Sequence, residues 1–231
     1  MTLIEHLTLL SLPDILAAGF IVVAWAAVGW GIEHAPAKYP SVSVLMAGYR
    51  RKWMHELALR ENRIFDAQLM GTLRQGTSFF ASTSILAIGG VLALIGNTER
   101  LRGVASEFTD SVQPDFVWQL KLLLVVFFLT FSFLKFVWAH RLFGYCAVVM
   151  GAVPSHDDPM AEKRAAQAAD LNIRASVNFT RGLRGMYFAL GALAWIMGPI
   201  GLALSTIAVV YLLWSREFQS VPRDVLMRDD D

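Results

Sequence analysis

Apolar residues along this chain gather into four blocks separated by charged stretches. The first block runs from about Leu12 to Gly31 and the second from about Phe79 to Gly96. The third begins near Phe116 and has LLLVVFFLTFSFL as its core, and the fourth runs from about Met186 to Trp214. Each approaches or exceeds the roughly 18–20 residues needed to cross a hydrocarbon core of about 30 Å. Within the blocks apolar residues are continuous and do not alternate. A transmembrane barrel would instead need alternating segments of about ten residues, whereas a helix satisfies its own backbone in lipid. The pattern predicts an all-α integral membrane helical bundle with about four transmembrane helices, over about 12–31, 79–96, 117–139 and 186–214.

The polar stretches carry helical signals of their own. Ser41–Gln75 contains no proline, and Leu57, Ile64 and Leu69 recur among charges at roughly helical spacing. Block three continues past Arg141 as LFGYCAVVMGAV and stops at Pro154. From Phe116 to Val153 is a length of about 57 Å at 1.5 Å per residue, more than a bilayer accommodates. Ser155–Pro159 reads as a turn, after which helix resumes near Met160 and leads into block four. Long helices are therefore expected to extend into a cytoplasmic helical subdomain, over about 41–76, 140–153 and 160–185, within a single membrane domain spanning 1–231.

Charge orients the blocks. Lys and Arg number 7 in Glu33–Gln75, 2 in Asn97–Asp115, 6 in Arg141–Arg184 and 3 after Trp214. Basic loops stay in the cytoplasm. With four crossings, loops one and three are then cytoplasmic, and both termini are expected outside. Trp118 and Trp214 fall near the outer boundary and Trp30 and Trp138 near the inner one, as interfacial rings do, while Trp25 and Trp195 sit deeper as packing residues.

Composition agrees. Only 17% of the residues are charged and 55% are hydrophobic, against about 25% charged in a soluble domain. A net charge of +1 argues against nucleic acid as a partner. The single cysteine, Cys146, excludes an internal disulfide. No cleavable signal is expected, because the first basic residue, Lys38, follows the first apolar block.

Three runs carry a family resemblance: YRRKWMHELALRENRIFDAQLMGTLRQGTSFFASTSILAIGG (Tyr49–Gly90), LKLLLVVFFLTFSFLKFVWAHRLFGYC, and NFTRGLRGMYFALGALAW followed by WSREF. The chain resembles, over about residues 40–218, the family called domain of unknown function 599. The resemblance implies a small multi-pass membrane protein of bacteria with relatives in plants. It implies no activity, and no site residue is carried over from it.

Candidate chemistry rests on a few polar residues. Lys135 lies within block three, where a charge marks a pathway or a partner unless its stem snorkels to the headgroups beside Trp138. Glu61 and Asp66 belong to a charged cluster before block two. They are candidates for attracting cations, for pairing within their own helix, or for pairing with the basic helix before block four. That helix sets Arg174, Asn178, Arg181 and Gly185 on one face, as an anionic-headgroup site or as a simple positive-inside signal. Ser78 and Ser82 share a face at the start of block two, where small polar residues glue helices or line a pore. Gly89 and Gly90 continue the small-residue surface. Gly198-Pro199 interrupts block four, as a kink or as a broken helix that binds ions. His34 and His140 share the expected inner level, but no pair of histidines has metal-ligand spacing, and no nucleotide or nucleophile signature occurs. The sequence thus suggests no cofactor and no enzyme. Its expected partners are the lipid bilayer, anionic headgroups at the cytoplasmic face, and copies of itself. Its function is read as an oligomeric channel or carrier, with a scaffold for another membrane complex as the alternative.

Overall fold

The computed structural model describes residues 10–97, 103 and 114–228. His6, most of the acidic loop between blocks two and three, and the last three residues lie outside them. Among the described residues the chain is helical and has no strand. The helices are α1 (Leu12–Glu33), α2 (Val42–Leu59), α3 (Ile64–Ile95), α4 (Asp115–Gly151), α5 (Met160–Leu193), α6 (Pro199–Phe218) and α7 (Val221–Met227), with a 3₁₀ turn at Ala194–Met197. Four helical segments are long and apolar enough to cross a membrane: Leu12–Glu33, Ile64–Ile95, Asp115–Gly151 and Pro199–Met227. The protein is therefore an all-α membrane helical bundle.

Two local features depart from expectation. The stretch 41–76 is not one helix. It ends at Arg60, whose extended backbone (φ −84°, ψ 135°) halts α2, and it restarts at Ile64, whose N–H donates to Asn62 Oδ1 at 3.0 Å. The expected single transmembrane helix over 186–214 is also corrected. Gly198 has φ +96°, which a side chain rarely tolerates, and Pro199 opens α6 at the first helical position, where its missing N–H costs nothing. The chain reverses there. The Ser205 hydroxyl donates to the Gly191 carbonyl at 2.8 Å, and a Cβ on Gly191 would stand 3.2 Å from Val209. The end of α5 and the start of α6 are thus the arms of a helical hairpin.

The chain divides into two compact units. The first comprises Met1–Gly31, Ser84–Ser132 and Leu183–Ser215. Its core is aromatic: Trp25 meets Phe127, Phe128 and Phe131 edge-on at centroid distances of 6.1, 5.7 and 4.8 Å, and Phe128 lies 5.9 Å from Phe188. Lipid tails are as apolar as these rings, so close packing rather than water exclusion must hold the helices. Gly185 provides it on α5, where any Cβ would run into Ser132 and Phe131 of α4.

The second unit comprises Ile32–Thr83, Phe133–Gly182 and Arg216–Asp231. It begins at a double cap. Ser41 Oγ accepts from Val44 N–H at 3.2 Å and donates to the Ile32 carbonyl at 2.9 Å. Its core joins Met54 and Leu57 of α2, Met70 of α3, Phe143, Cys146 and Met150 of α4, and Ala161, Ala165 and Ala168 of α5. The alanines recur every three or four residues, so α5 offers a smooth stripe that larger side chains fill from the other helices. Phe80, Phe136 and Phe179 form a second cluster, with centroids 5.5–5.6 Å apart.

Gly182 lies against that cluster, and a Cβ there would stand 2.6 Å from the Phe136 ring. Gly182→Ala is expected to destabilise the protein by about 1–3 kcal/mol through overpacking. Thermal unfolding in detergent reads this as a lowered Tm, and an unchanged Tm would mean that the ring moves aside freely.

Candidate functional site

Polar side chains are buried in both units. In the first, Ser11 caps the start of α1: the Asp14 N–H donates to Ser11 Oγ at 3.3 Å, and the Ser11 hydroxyl donates to Asp14 Oδ2 at 2.5 Å. The same carboxylate accepts from Trp195 Nε1 at 2.8 Å, which ties the hairpin turn to α1. It also lies within electrostatic reach of Lys121 on α4. Asp14 is 3% exposed and Lys121 2%. The Lys121 ammonium sits 4.4 Å from the Trp118 ring centroid, a cation–π contact in a desolvated setting.

Arg184 is a further buried charge among the described residues of this unit, and its Nε lies 3.8 Å from where a side chain on Gly29 would begin. The three helices agree on an order. Along α1 it is Asp14, Trp25, Gly29; along α4 it is Lys121, Phe128, Ser132; and along α5 and the turn, read backwards, it is Trp195, Phe188, Arg184. Two polar levels are thus separated by one aromatic level.

In the second unit, Glu33 receives a two-point contact from Arg181, Nε to Oε1 at 2.9 Å and Nη2 to Oε2 at 2.5 Å. These hydrogen bonds hold the Arg181 guanidinium above its ordinary value. Lys135 is half-buried and lies close enough to feel both Arg181 and Glu33. Glu33 is thus an acid within electrostatic reach of Lys135. Asp66, fully buried, accepts from Trp53 Nε1 at 2.7 Å and Arg60 Nη1 at 2.8 Å. Glu61 is exposed on the rim of an open pocket of about 610 Å³, with Arg60, Arg63, Pro154, His156 and Asp157. Arg63 does not pair with Asp66 either: its guanidinium binds the carbonyls of Val153 and Pro154.

The expected basic face of α5 splits. Arg174 is exposed, Asn178 is buried and donates to the Arg174 carbonyl at 2.9 Å, Arg181 is paired, and Gly185 belongs to the first unit's packing. On α3, Ser78, Ser82 and Gly89 are exposed, whereas Ser84 is buried. His140 Nδ1 lies 3.3 Å from the Arg74 carbonyl.

Sequence reasoning passed over a further network. Arg50 bonds Asn172 Oδ1, and Asn172 Nδ2 reaches Cys146 Sγ at 3.7 Å. The thiol in turn bonds the Ala168 carbonyl at 3.2 Å. Arg50 Nε is buried with no hydrogen-bond partner, and burial pushes the guanidinium below its ordinary value.

Two outcomes follow. Asn172→Leu strands the Arg50 charge and is expected to cost about 1.5–3 kcal/mol, read as a lowered Tm. Cys146, fully enclosed, is expected to react with a polar maleimide only as fast as the unit opens, so rapid labelling of folded protein would contradict this packing.

No curated protein and no solved structure matches this chain. The model of one family, described as "Protein of unknown function, DUF599", matches residues 16–222, and the chain belongs to that family.

Proposed function

We propose that this protein is a carrier of small solutes or ions in the cytoplasmic membrane of a bacterium, working as an oligomer. The observation that carries the reading is the buried charge of the first unit. Ionisable groups inside a membrane are costly, and they mark pathways when they are not purely structural. Asp14 with Lys121, and Arg184 near Gly29, lie on either side of the Trp25–Phe128–Phe188 level. From Asp14 to Gly29 is about 22 Å along α1. A closed aromatic level between two polar ones suits a carrier in an occluded state better than an open channel. Self-association draws support from α3, whose most apolar window is only 11% buried although Ser78, Ser82 and Gly89 lie exposed along it.

Topology is part of the proposal. Gly31 lies 4.0 Å from the Trp214 ring at one end of the first unit, and Asp14 bonds Trp195 at the other, so α1 and α6 run in the same direction. In the second unit Tyr39 stacks on Phe218 at 5.7 Å, and Arg223 Nε donates to the Pro40 carbonyl at 2.9 Å. The tail then shares the side of the first loop, and the outside C-terminus expected from four crossings becomes a cytoplasmic one. Arg216, Arg223 and Arg228 join the basic side, which fits the positive-inside rule better than before. A second reading, an accessory protein for another membrane complex, draws on the open pocket beside Arg60 and Arg63.

Reporter fusions after Asp231 are expected to report cytoplasm. Periplasmic activity there would overturn the hairpin topology.

Asp14→Asn removes the charge that accepts from Trp195 Nε1 and lies within electrostatic reach of Lys121, and it is expected to cost about 1.5–3 kcal/mol. The pair Asp14→Asn with Lys121→Met is expected to recover much of that stability while lowering solute or ion flux into liposomes at least roughly tenfold, about 1.4 kcal/mol. A stable double variant with unchanged flux would make the pair purely structural. Absence of flux by the parent protein across a panel of ions and small solutes would favour the accessory reading.

A further inference from the structure

The Phe136 ring of α4 lies against Gly182 of α5, which brings their chain neighbours Lys135 and Arg181 close together, and Glu33 holds the Arg181 guanidinium. Glu33 is the more enclosed partner, with 16% of its side chain exposed, while Arg181 leaves 39% exposed. The fork to Glu33 uses Nε and Nη2, so Nη1 and its two donors are not spent on it. The acid thus fixes the plane of the guanidinium and does not consume it.

Depth is set by neighbours on the same helices. Trp138, one turn beyond Lys135 on α4, exposes nearly half its surface, as a ring at the headgroup level does. Arg174 is exposed two turns before Arg181 on the same face of α5. A planar, oriented guanidinium beside an ammonium is the donor set that recognises phosphate oxygens. At this depth the phosphates at hand are those of phospholipid headgroups on the basic side of the membrane.

We propose that Arg181 and Lys135, held by Glu33, bind the phosphate of an anionic phospholipid, with Arg174 extending the site toward the rest of the headgroup. The inference does not depend on the carrier reading, since a headgroup can lock the bundle in place whether or not anything is transported.

The test uses the whole protein in nanodiscs of phosphatidylcholine alone or with one-fifth phosphatidylglycerol. A second arm uses detergent with inorganic phosphate at millimolar concentration. Phosphatidylglycerol is expected to raise the Tm by several degrees and to remain bound in native mass spectrometry, while inorganic phosphate leaves the Tm unchanged. Lys135→Gln, which spares the Glu33–Arg181 fork, is expected to lose most of the Tm rise, and Lys135→Arg to keep it. An equal rise in wild type and Lys135→Gln would overturn the proposal. A rise produced equally well by inorganic phosphate would replace the lipid with a soluble anion and overturn it too. Should the glutamine variant not fold, lipid retention by the wild-type protein decides: equal retention of the neutral and anionic lipids overturns the site.

Discussion

The first unit depends on one carboxylate. Among apolar helices in lipid there is no gain from excluding water, so what fixes their arrangement must be close packing and a few buried polar contacts. Asp14 supplies the central contact. It accepts from the hydroxyl of Ser11 at the start of α1, receives the indole of Trp195 from the hairpin turn, and lies within electrostatic reach of Lys121 on α4. Each partner comes from a different segment. Without the acid, the turn, the start of α1 and the start of α4 would lose their common point, and a lysine would be left in a dry site.

The second unit is organised by a different device. Its core is built on a stripe of alanines along α5, against which methionine, leucine and phenylalanine side chains pack. Polar residues inside it are engaged in pairs and triplets: Asp66 with Trp53 and Arg60, and Asn172 with Arg50 and Cys146. Such networks are costly if half-made, and the orphaned Nε of Arg50 and Oδ2 of Asp66 show where this one is incomplete. Glu33 marks the end of α1, where its carboxylate meets Arg181 from a residue 148 positions away.

Much of this was legible in the residues. Apolar blocks announced helices because lipid leaves a lone segment no other way to satisfy its backbone. The overshoot of α4 followed from length alone, and the enclosure of Cys146 followed from the overshoot. The break between α2 and α3 was not legible: no proline or glycine marks Arg60–Arg63, and the interruption comes from tertiary contacts of Arg60 and Arg63. The hairpin was half-visible. Gly198-Pro199 reads as a kink or as a broken helix, yet Met186–Trp214 measures about 43 Å as a helix, too long for one crossing of about 30 Å. The bond between Asp14 and Trp195 spans 181 residues, and no local periodicity encodes it. The Glu33–Arg181 contact escapes for the same reason, since Glu33 stands at the end of another block and counts there as part of a loop.

The reversal at Gly198 bears on how such a protein is made. Between Arg184 and Leu193 the α5 arm offers nine or ten residues, about 15 Å of helix, too little to enter a bilayer as an independent span. The α6 arm is long enough, but its entry drags the shorter arm with it, because the turn joining them is only a few residues long. Entry of the α5 arm is thereby tied to entry of α6. The hydroxyl of Ser205 is matched to the Gly191 carbonyl across the pair, which holds the two arms together. The indole of Trp195, bonded to Asp14, is the point at which the turn docks on the start of α1.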